Sequence, residues 1–241
     1  MPENKLEVNE ICKSFDEKQI LKEISFRVGE GELVTLLGPS GCGKSTIMNI
    51  LTGLLKADSG EIRVEGKIGY MQQKDLLLPW KTCMENVILP ELLAGTPKEK
   101  AEARALPYFK AFQIEGYERR FPNEMSGGMR QRASLLRTFL SSGDVLLLDE
   151  PFGAVDSITR GSLQQWLIGV SRELGLTILL ITHDIEEAIL LSDRIVVLSD
   201  KPSTVRDEIA LTPEFGEMKK EERLFDPAFL ELKKRILDDL K

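Results

Sequence analysis

The chain is poor in the residues that carry most metal and disulfide chemistry. It has one histidine, His183, and three cysteines, Cys12, Cys42 and Cys83. The cysteines form no CxxC pair and no metal-ligand spacing, so a zinc site and a disulfide framework are both excluded, and three free thiols in a reducing compartment are expected. Long apolar runs are missing too. None approaches the ~20 residues that a membrane-spanning helix needs, so any action at a membrane would go through a partner. The opening Met1-Pro-Glu-Asn-Lys-Leu-Glu has neither an apolar core nor a cleavage pattern, which points to a cytoplasmic protein. There is no excess of basic residues: the net charge is −7, which disfavours nucleic acid as the main partner, because phosphate contacts need clustered Lys and Arg. Internal repeats and low-complexity segments are also absent. What remains is ordinary for a globular protein: 241 residues, 42% hydrophobic and 29% charged, compatible with a single α/β domain.

Against this background one stretch stands out. Leu33 to Leu37 is an apolar run rich in β-formers. It stops at Gly38, passes through Pro39-Ser40-Gly41-Cys42-Gly43, and restarts as a helix-compatible segment at Lys44-Ser45-Thr46. Gly38, Gly43, Lys44 and Ser45 satisfy the phosphate-loop pattern G-x-x-x-x-G-K-[ST]. Glycines let backbone N–H groups turn inward around anionic oxygens, and the helix start adds unpaired donors and the positive end of its dipole. Lys44 can reach the β and γ phosphates of a nucleotide, and the Ser45 hydroxyl can ligate Mg2+. Cys42 lies inside the loop; it is either a small residue tolerated there or a thiol whose modification would crowd the phosphates.

The rest of the chain supplies a frame for this loop. Residues 5 to 9 and 20 to 28 read as strands, the second with Ile24, Phe26 and Val28 alternating with Ser25 and Arg27. Lys13 to Glu17 between them reads as a polar turn, where the Phe15 ring either packs locally or stacks on a base. A helix is expected from Lys44 to Leu55, with Ile47, Ile50, Leu51 and Leu54 on one face. Asp58 to Gly60 reads as a turn, and 61 to 65 and 67 to 71 as short strands. Helical periodicity then dominates residues 82 to 94, 98 to 113 and 127 to 141, a helical insertion in an α/β core. Inside it, Ser126-Gly127-Gly128 is a capped helix start whose open N–H groups could equally form a second anion site.

Two apolar strands end in polar chemistry. Val145 to Leu148 runs into Asp149 and Glu150, and Leu176 to Thr182 runs into His183. Such strands are buried on both faces in parallel sheets, and their carboxyl ends are where ligands bind. Asp149 suits Mg2+ or its water, and Glu150 suits a general base. Ser157 to Glu173 reads as a helix with Ile158, Leu163, Trp166, Leu167 and Val170 sharing a face. Ile185 to Leu191 is a short helix, 194 to 198 a strand and 203 to 211 an edge strand. The tail from Glu214, with Phe225, Phe229, Leu232, Ile236 and Leu237, reads as one or two amphipathic helices.

The phosphate loop, Ser126-Gly-Gly-Met-Arg-Gln-Arg132, the acid pair, Asp156 and Ile181-Thr-His183-Asp184 occur in the order and spacing of a known family. Over residues 5 to 210 the chain resembles the ATP-binding subunits of ABC transporters. The resemblance implies a phosphate-loop ATPase core with an antiparallel β subdomain and an inserted helical subdomain. It implies residues 1–75 and 143–211 as core, 76–142 as the helical part and 212–241 as a short tail. Phe15 would stack on adenine, where Tyr is more usual. Gln73 would link Mg2+ and the attacking water to the helical part. Ser126, Gly127 and Gly128 would contact the γ-phosphate held by a second copy in a head-to-tail dimer, with Asp156 at the seam and His183 on the γ-phosphate.

The wording Leu77-Leu-Pro79-Trp80, Asp149-Glu-Pro-Phe-Gly-Ala-Val-Asp156 and Thr182-His-Asp-Ile-Glu-Glu is similar to the nitrate, sulfonate, taurine and thiamine-precursor importers. That likeness implies transmembrane permease subunits as partners, an extracytoplasmic solute-binding protein indirectly, and a peripheral place on the cytoplasmic face of the membrane. Leu76 to Trp80 either receives the permease or packs locally. An exporter subunit, or a soluble ABC ATPase acting on nucleic acid or ribosomes, is the competing expectation. Single-chain relatives of the latter kind carry two cassettes or a long coiled coil, and residues 74 to 125 hold no sustained heptads.

Overall fold

A computed structural model describes residues 4–141, 144–153, 155–211, 215 and 218–240. Residues 1–3, 142 and 143, Ala154 of the acid-pair wording, and residues 212–214, 216, 217 and 241 of the tail lie outside them. The chain divides into two compact units, residues 1–66 with 175–241, and residues 67–174.

In the first unit, β1 (Asn4–Phe15), β2 (Lys18–Gly29) and β4 (Ser59–Val64) form an antiparallel sheet in the order β2-β1-β4. β3 (Leu33–Leu37) runs parallel to β7 (Ile178–Thr182) on one side and to β8 (Arg194–Leu198) on the other. β9 (Val205–Ala210) closes that edge antiparallel to β8. β3 and β7 are buried at every position, which is why they read as unbroken apolar runs rather than alternating ones. The helices here are α1 (Lys44–Leu51), α7 (Ile185–Leu191) and α8 (Pro227–Asp239), with a 3-10 turn at Lys220–Phe225. Phe229, Leu232 and Ile236 of α8 are buried with Leu37, Ala188, Ile189, Ile195 and Val197, each contributing about 2 kcal/mol of burial.

The second unit holds the parallel pair β5 (Ile68–Met71) and β6 (Val145–Asp149). Its helices are α2 (Cys83–Val87), α3 (Leu89–Leu93), α4 (Lys98–Ala111), α5 (Gly127–Ser141) and α6 (Ser157–Leu174), with a 3-10 turn at Pro122–Glu124. Phe112 packs edge-on against Trp166 of α6, whose indole N–H donates to Ala111 O at 3.0 Å. No described helix is long and apolar enough to cross a membrane.

Several expectations from the sequence are corrected. β1 continues through Lys13, Ser14 and Phe15, so the turn is only Asp16-Glu17. Register shifts near Val8 and Ile11, with Glu10 at φ 49°, interrupt the alternation that would have revealed a strand of that length. Ser59 and Gly60 belong to β4 rather than to a turn. α1 ends at Leu51 because Gly53 takes φ 75°, leaving Leu54 71% exposed instead of on the buried face. The 82–94 periodicity divides at Ile88, and Pro90 starts the second piece. Ile158 is 86% exposed in the first turn of α6, while Leu163, Trp166, Leu167 and Val170 share the buried face. In the tail, Phe225 and Leu237 are exposed. Of the stretch Leu76 to Trp80, Leu77 is core, while Leu76 and Trp80 face solvent.

Arg194 ties the first unit together at the start of β8. Its guanidinium donates to Glu32 Oε1 at 2.9 Å and Oε2 at 2.7 Å, to Arg27 O at 2.9 Å, and to Glu208. The side chain is 12% exposed, so removing it strands two carboxylates in a partly desolvated place. Arg194→Met is expected to lower stability by about 2–3 kcal/mol, the scale of losing hydrogen bonds to charged groups. Urea unfolding measures this, and an unchanged midpoint would show the cluster to be no more than surface screening.

Candidate nucleotide site

β3 delivers its chain directly into the glycine-rich loop, and α1 begins as the loop ends. Leu37 lies opposite Thr182 in the parallel register, so Gly38 and His183 leave neighbouring strands at the same level, at the carboxyl edge. Gly43 sits at the N-cap of α1 with φ 116°. A Cβ there would come within 2.8 Å of Leu21 Cδ2 and 3.0 Å of Ile20 Cγ2, so both the backbone shape and the close approach of β2 require glycine. Lys44 is only 6% exposed. Its ammonium donates to Gly38 O at 2.7 Å and Pro39 O at 2.9 Å, which lays a positive charge across the loop. Ser40, Gly41 and Ser45 are exposed, Pro39 and Thr46 half-buried. A glycine-rich loop with a fixed cation laid across it fits a polyphosphate.

His183 is exposed, and the next residue, Asp184, caps α7 by accepting from the Glu186 and Glu187 amides. Phe15 is 45% exposed at the end of β1, so its ring is not core packing. Lys13 Nζ lies 5.6 Å from the ring centroid and is itself held by Asp58 at 2.6 Å. That lysine and the Ser14 amide hold the Asp58 carboxyl below the usual carboxylate range.

The other expected site residues belong to the second unit. Asp149 and Glu150 end β6 half-buried, and Glu150 takes φ 44°, a strained backbone for a side chain of its kind. Gln73 Nε2 donates to Glu150 Oε2 at 3.1 Å. Tyr70 OH donates to Asp149 Oδ2 at 3.2 Å. Burial, and then the Asp149 charge, push the Tyr70 phenol up to about 12, so it stays a donor at neutral pH. Sequence reasoning missed Tyr70. The clue was available: Ile68 and Tyr70 fall on one face of β5, Gly69 and Met71 on the other.

Ser126 Oγ accepts from the Met129 amide at 3.3 Å, the N-cap contact expected for α5. Gly128 is buried, and a Cβ on it would lie 2.8 Å from Thr159 Cγ2 of α6. The Thr159 amide donates to Asp156 Oδ1 at 3.0 Å, and this bond lowers the Asp156 pKa. Thr159 therefore ties Ser126-Gly127-Gly128 to Asp156. A second tie was also illegible in the sequence: Arg130 Nε pairs with Asp75 Oδ2 at 3.1 Å, and Ser134 Oγ and Arg137 donate to Asp75 O. It fastens the segment just after Gln73 to α5.

Cys42 is fully buried, and burial raises its pKa against the lowering effect of Lys44. At neutral pH it is therefore a protonated thiol, and thiols alkylate through the thiolate. Iodoacetamide is expected to label half-exposed Cys12 well ahead of Cys42, with Cys42 catching up only in alkali. Peptide mass spectrometry reads this, and equal labelling at neutral pH would contradict the burial.

The sequence model described as ABC transporter matches residues 21–153. The formylaminopyrimidine import ATP-binding protein ThiZ of Halalkalibacterium halodurans is 45% identical over 81% of this chain and 79% of its own. The aliphatic sulfonates import ATP-binding protein SsuB of Bacillus cereus is 36% identical over 97% of this chain and 95% of its own. Among solved structures, a dimeric ATP-binding cassette in a post-hydrolysis state with ADP and Pi is 31% identical. It superposes with a TM-score of 0.71 over 86% of this chain and 98% of that one. The chain thus belongs to the ABC transporter family, as an ATP-hydrolysing cassette of the branch that holds these import subunits.

Proposed function

We propose that the chain powers a membrane permease for uptake of a small solute of the sulfonate, taurine, nitrate or thiamine-precursor kind. On this reading it works at the cytoplasmic face of the membrane as a pair of head-to-tail copies, which close on ATP and open after hydrolysis. The solute-binding protein outside the membrane is reached only through the permease. The relatives' import names are the observation that carries the uptake reading, and the hydrogen bond from Gln73 to Glu150 supports its hydrolytic part.

That bond joins the residue fitted to be the base to the segment that Asp75 fastens onto α5. Glu150 takes a proton from the attacking water. Gln73 orients the Glu150 carboxylate and reports its state to the helical segment. Lys44 and the loop amides hold the phosphates, His183 donates to the γ-phosphate, and Phe15 stacks on the base. Ser126, Gly127 and Gly128 offer amide donors to the nucleotide of the second copy, with Asp156 beside them.

Ser45, Asp149 and Gln73 are oxygen donors of the class a hard divalent cation takes. Among the described residues no group of three or more His, Cys, Asp or Glu is placed to hold a metal. Mg2+ fills much of its shell with phosphate oxygens and water, so it asks few donors of a protein. Bound with the nucleotide, Mg2+ would supply charge neutralisation for the transferred phosphoryl group.

Glu150→Gln is expected to keep ATP binding while lowering turnover about 100-fold or more, the scale of losing a general base. Lys44→Ala is expected to weaken ATP binding instead. Near-normal turnover of Glu150→Gln with its partner present would take the base role away from Glu150. Gentle-detergent capture from native membranes tests the transport reading. A stoichiometric multi-span permease supports it, and recovery with ribosomal proteins or nucleic acid would overturn it.

A further inference from the structure

The tail contains two cations that the site does not use. Lys220 and Arg223, in the 3-10 turn, are 5% and 4% exposed. Lys220 Nζ donates to Leu191 O at 2.6 Å, and Arg223 donates to Ile189 O at 3.0 Å and Ser192 O at 2.6 Å. These are carbonyls at the end of α7, where a helix leaves acceptors unpaired and its dipole favours positive charge. The same tail also holds the other end of α7: Lys233 Nζ of α8 reaches Glu186 Oε1 at 2.6 Å. α7 is seven residues long and starts directly after His183-Asp184. A helix that short, gripped at both ends, moves with whatever grips it.

The tail reaches the phosphate-loop strand as well. Lys220 Nζ lies 2.7 Å from Asp193 Oδ1, and Asp193 Oδ2 accepts from the Leu33 amide at 2.9 Å, at the entry to β3. At its exit, Leu37 is packed with Phe229, Leu232 and Ile236. One segment therefore reaches the entry of the strand that delivers Gly38 through Asp193, packs at its exit, and touches both ends of the helix that follows His183.

We propose that Lys220 and Arg223 are positioning residues for ATP hydrolysis, holding His183 in place relative to the phosphate loop through the α7 carbonyls and Asp193. The proposal rests on the reading of His183 as a donor to the γ-phosphate. A merely structural role would lower thermal stability and act independently of His183. A positioning role makes the two sites non-additive in kcat.

The test is a double-mutant cycle on the full chain with its permease, well below the unfolding temperature, comparing Arg223→Ala, His183→Ala and the pair. Arg223→Ala is expected to lower kcat about 10-fold with ATP affinity within about 2-fold, and to cost less than about 2-fold more when His183 is already Ala. Arg223→Lys, which keeps a donor to the carbonyls, is expected to recover most of the loss. If Arg223→Ala does not fold, Lys220→Met carries the same cycle. Equal losses in both backgrounds, or a loss in ATP affinity alone, would overturn the proposal and leave His183 untouched. Unchanged kcat in His183→Ala would remove the role of His183 itself, and the proposal with it.

Discussion

The parallel register between β3 and β7 is the constraint from which the first unit's part of the site follows. It sets Leu37 against Thr182, so the phosphate loop and the His183 turn emerge side by side. Parallel strands are characteristically buried on both faces, and here every residue of both strands is. A slip of one residue would turn every side chain to the opposite face and carry the loop's lysine away from the histidine's level. The observed pairing, with the buried Thr35 and Ser192 hydroxyls in contact at 2.5 Å, thus sets where polar chemistry begins.

The second unit depends on a different kind of fixing. Asp149 ends β6 and Glu150 follows it in a strained backbone, and each is engaged from a neighbouring segment: Tyr70 donates to Asp149 and Gln73 to Glu150. A phenol kept protonated up to about 12 remains a donor across the working range of pH, so it steadies one carboxylate without competing for its proton. Arg130 and Arg137 then hold the following segment against α5. A change at the acids therefore has a short mechanical route to the glycine turn that begins that helix.

Much of this was legible in the sequence, and the pattern of what was not is physical. The loop could be read because Gly, Lys and Ser at fixed spacing are demanded by phosphate geometry. The strand ends could be read because burial on both faces gives runs that few other structures need. Local interruptions hid the rest. Bulges in β1 broke its alternation, and a left-handed Gly53 stopped α1 before Leu54 could join its apolar face. Ile158 matched the helical period yet lies exposed in the first turn of α6, because periodicity does not say where packing begins. Tyr70, Asp75, Lys220 and Arg223 act through contacts with residues 27 to 79 positions away, which no local pattern records.

The contact between Gly128 and Thr159 has a consequence for energetics. Because the threonine methyl occupies the space of a glycine side chain, and its amide holds Asp156, these groups form one prefolded surface rather than two mobile arms. The conformational freedom of the glycine turn has been given up once, when the unit folds. On the proposed reading, the encounter of two copies then meets a surface already set, with little left to order in each cycle. The speed of closing would be governed by diffusion of rigid bodies and by charge, and hardly at all by the search of a flexible loop.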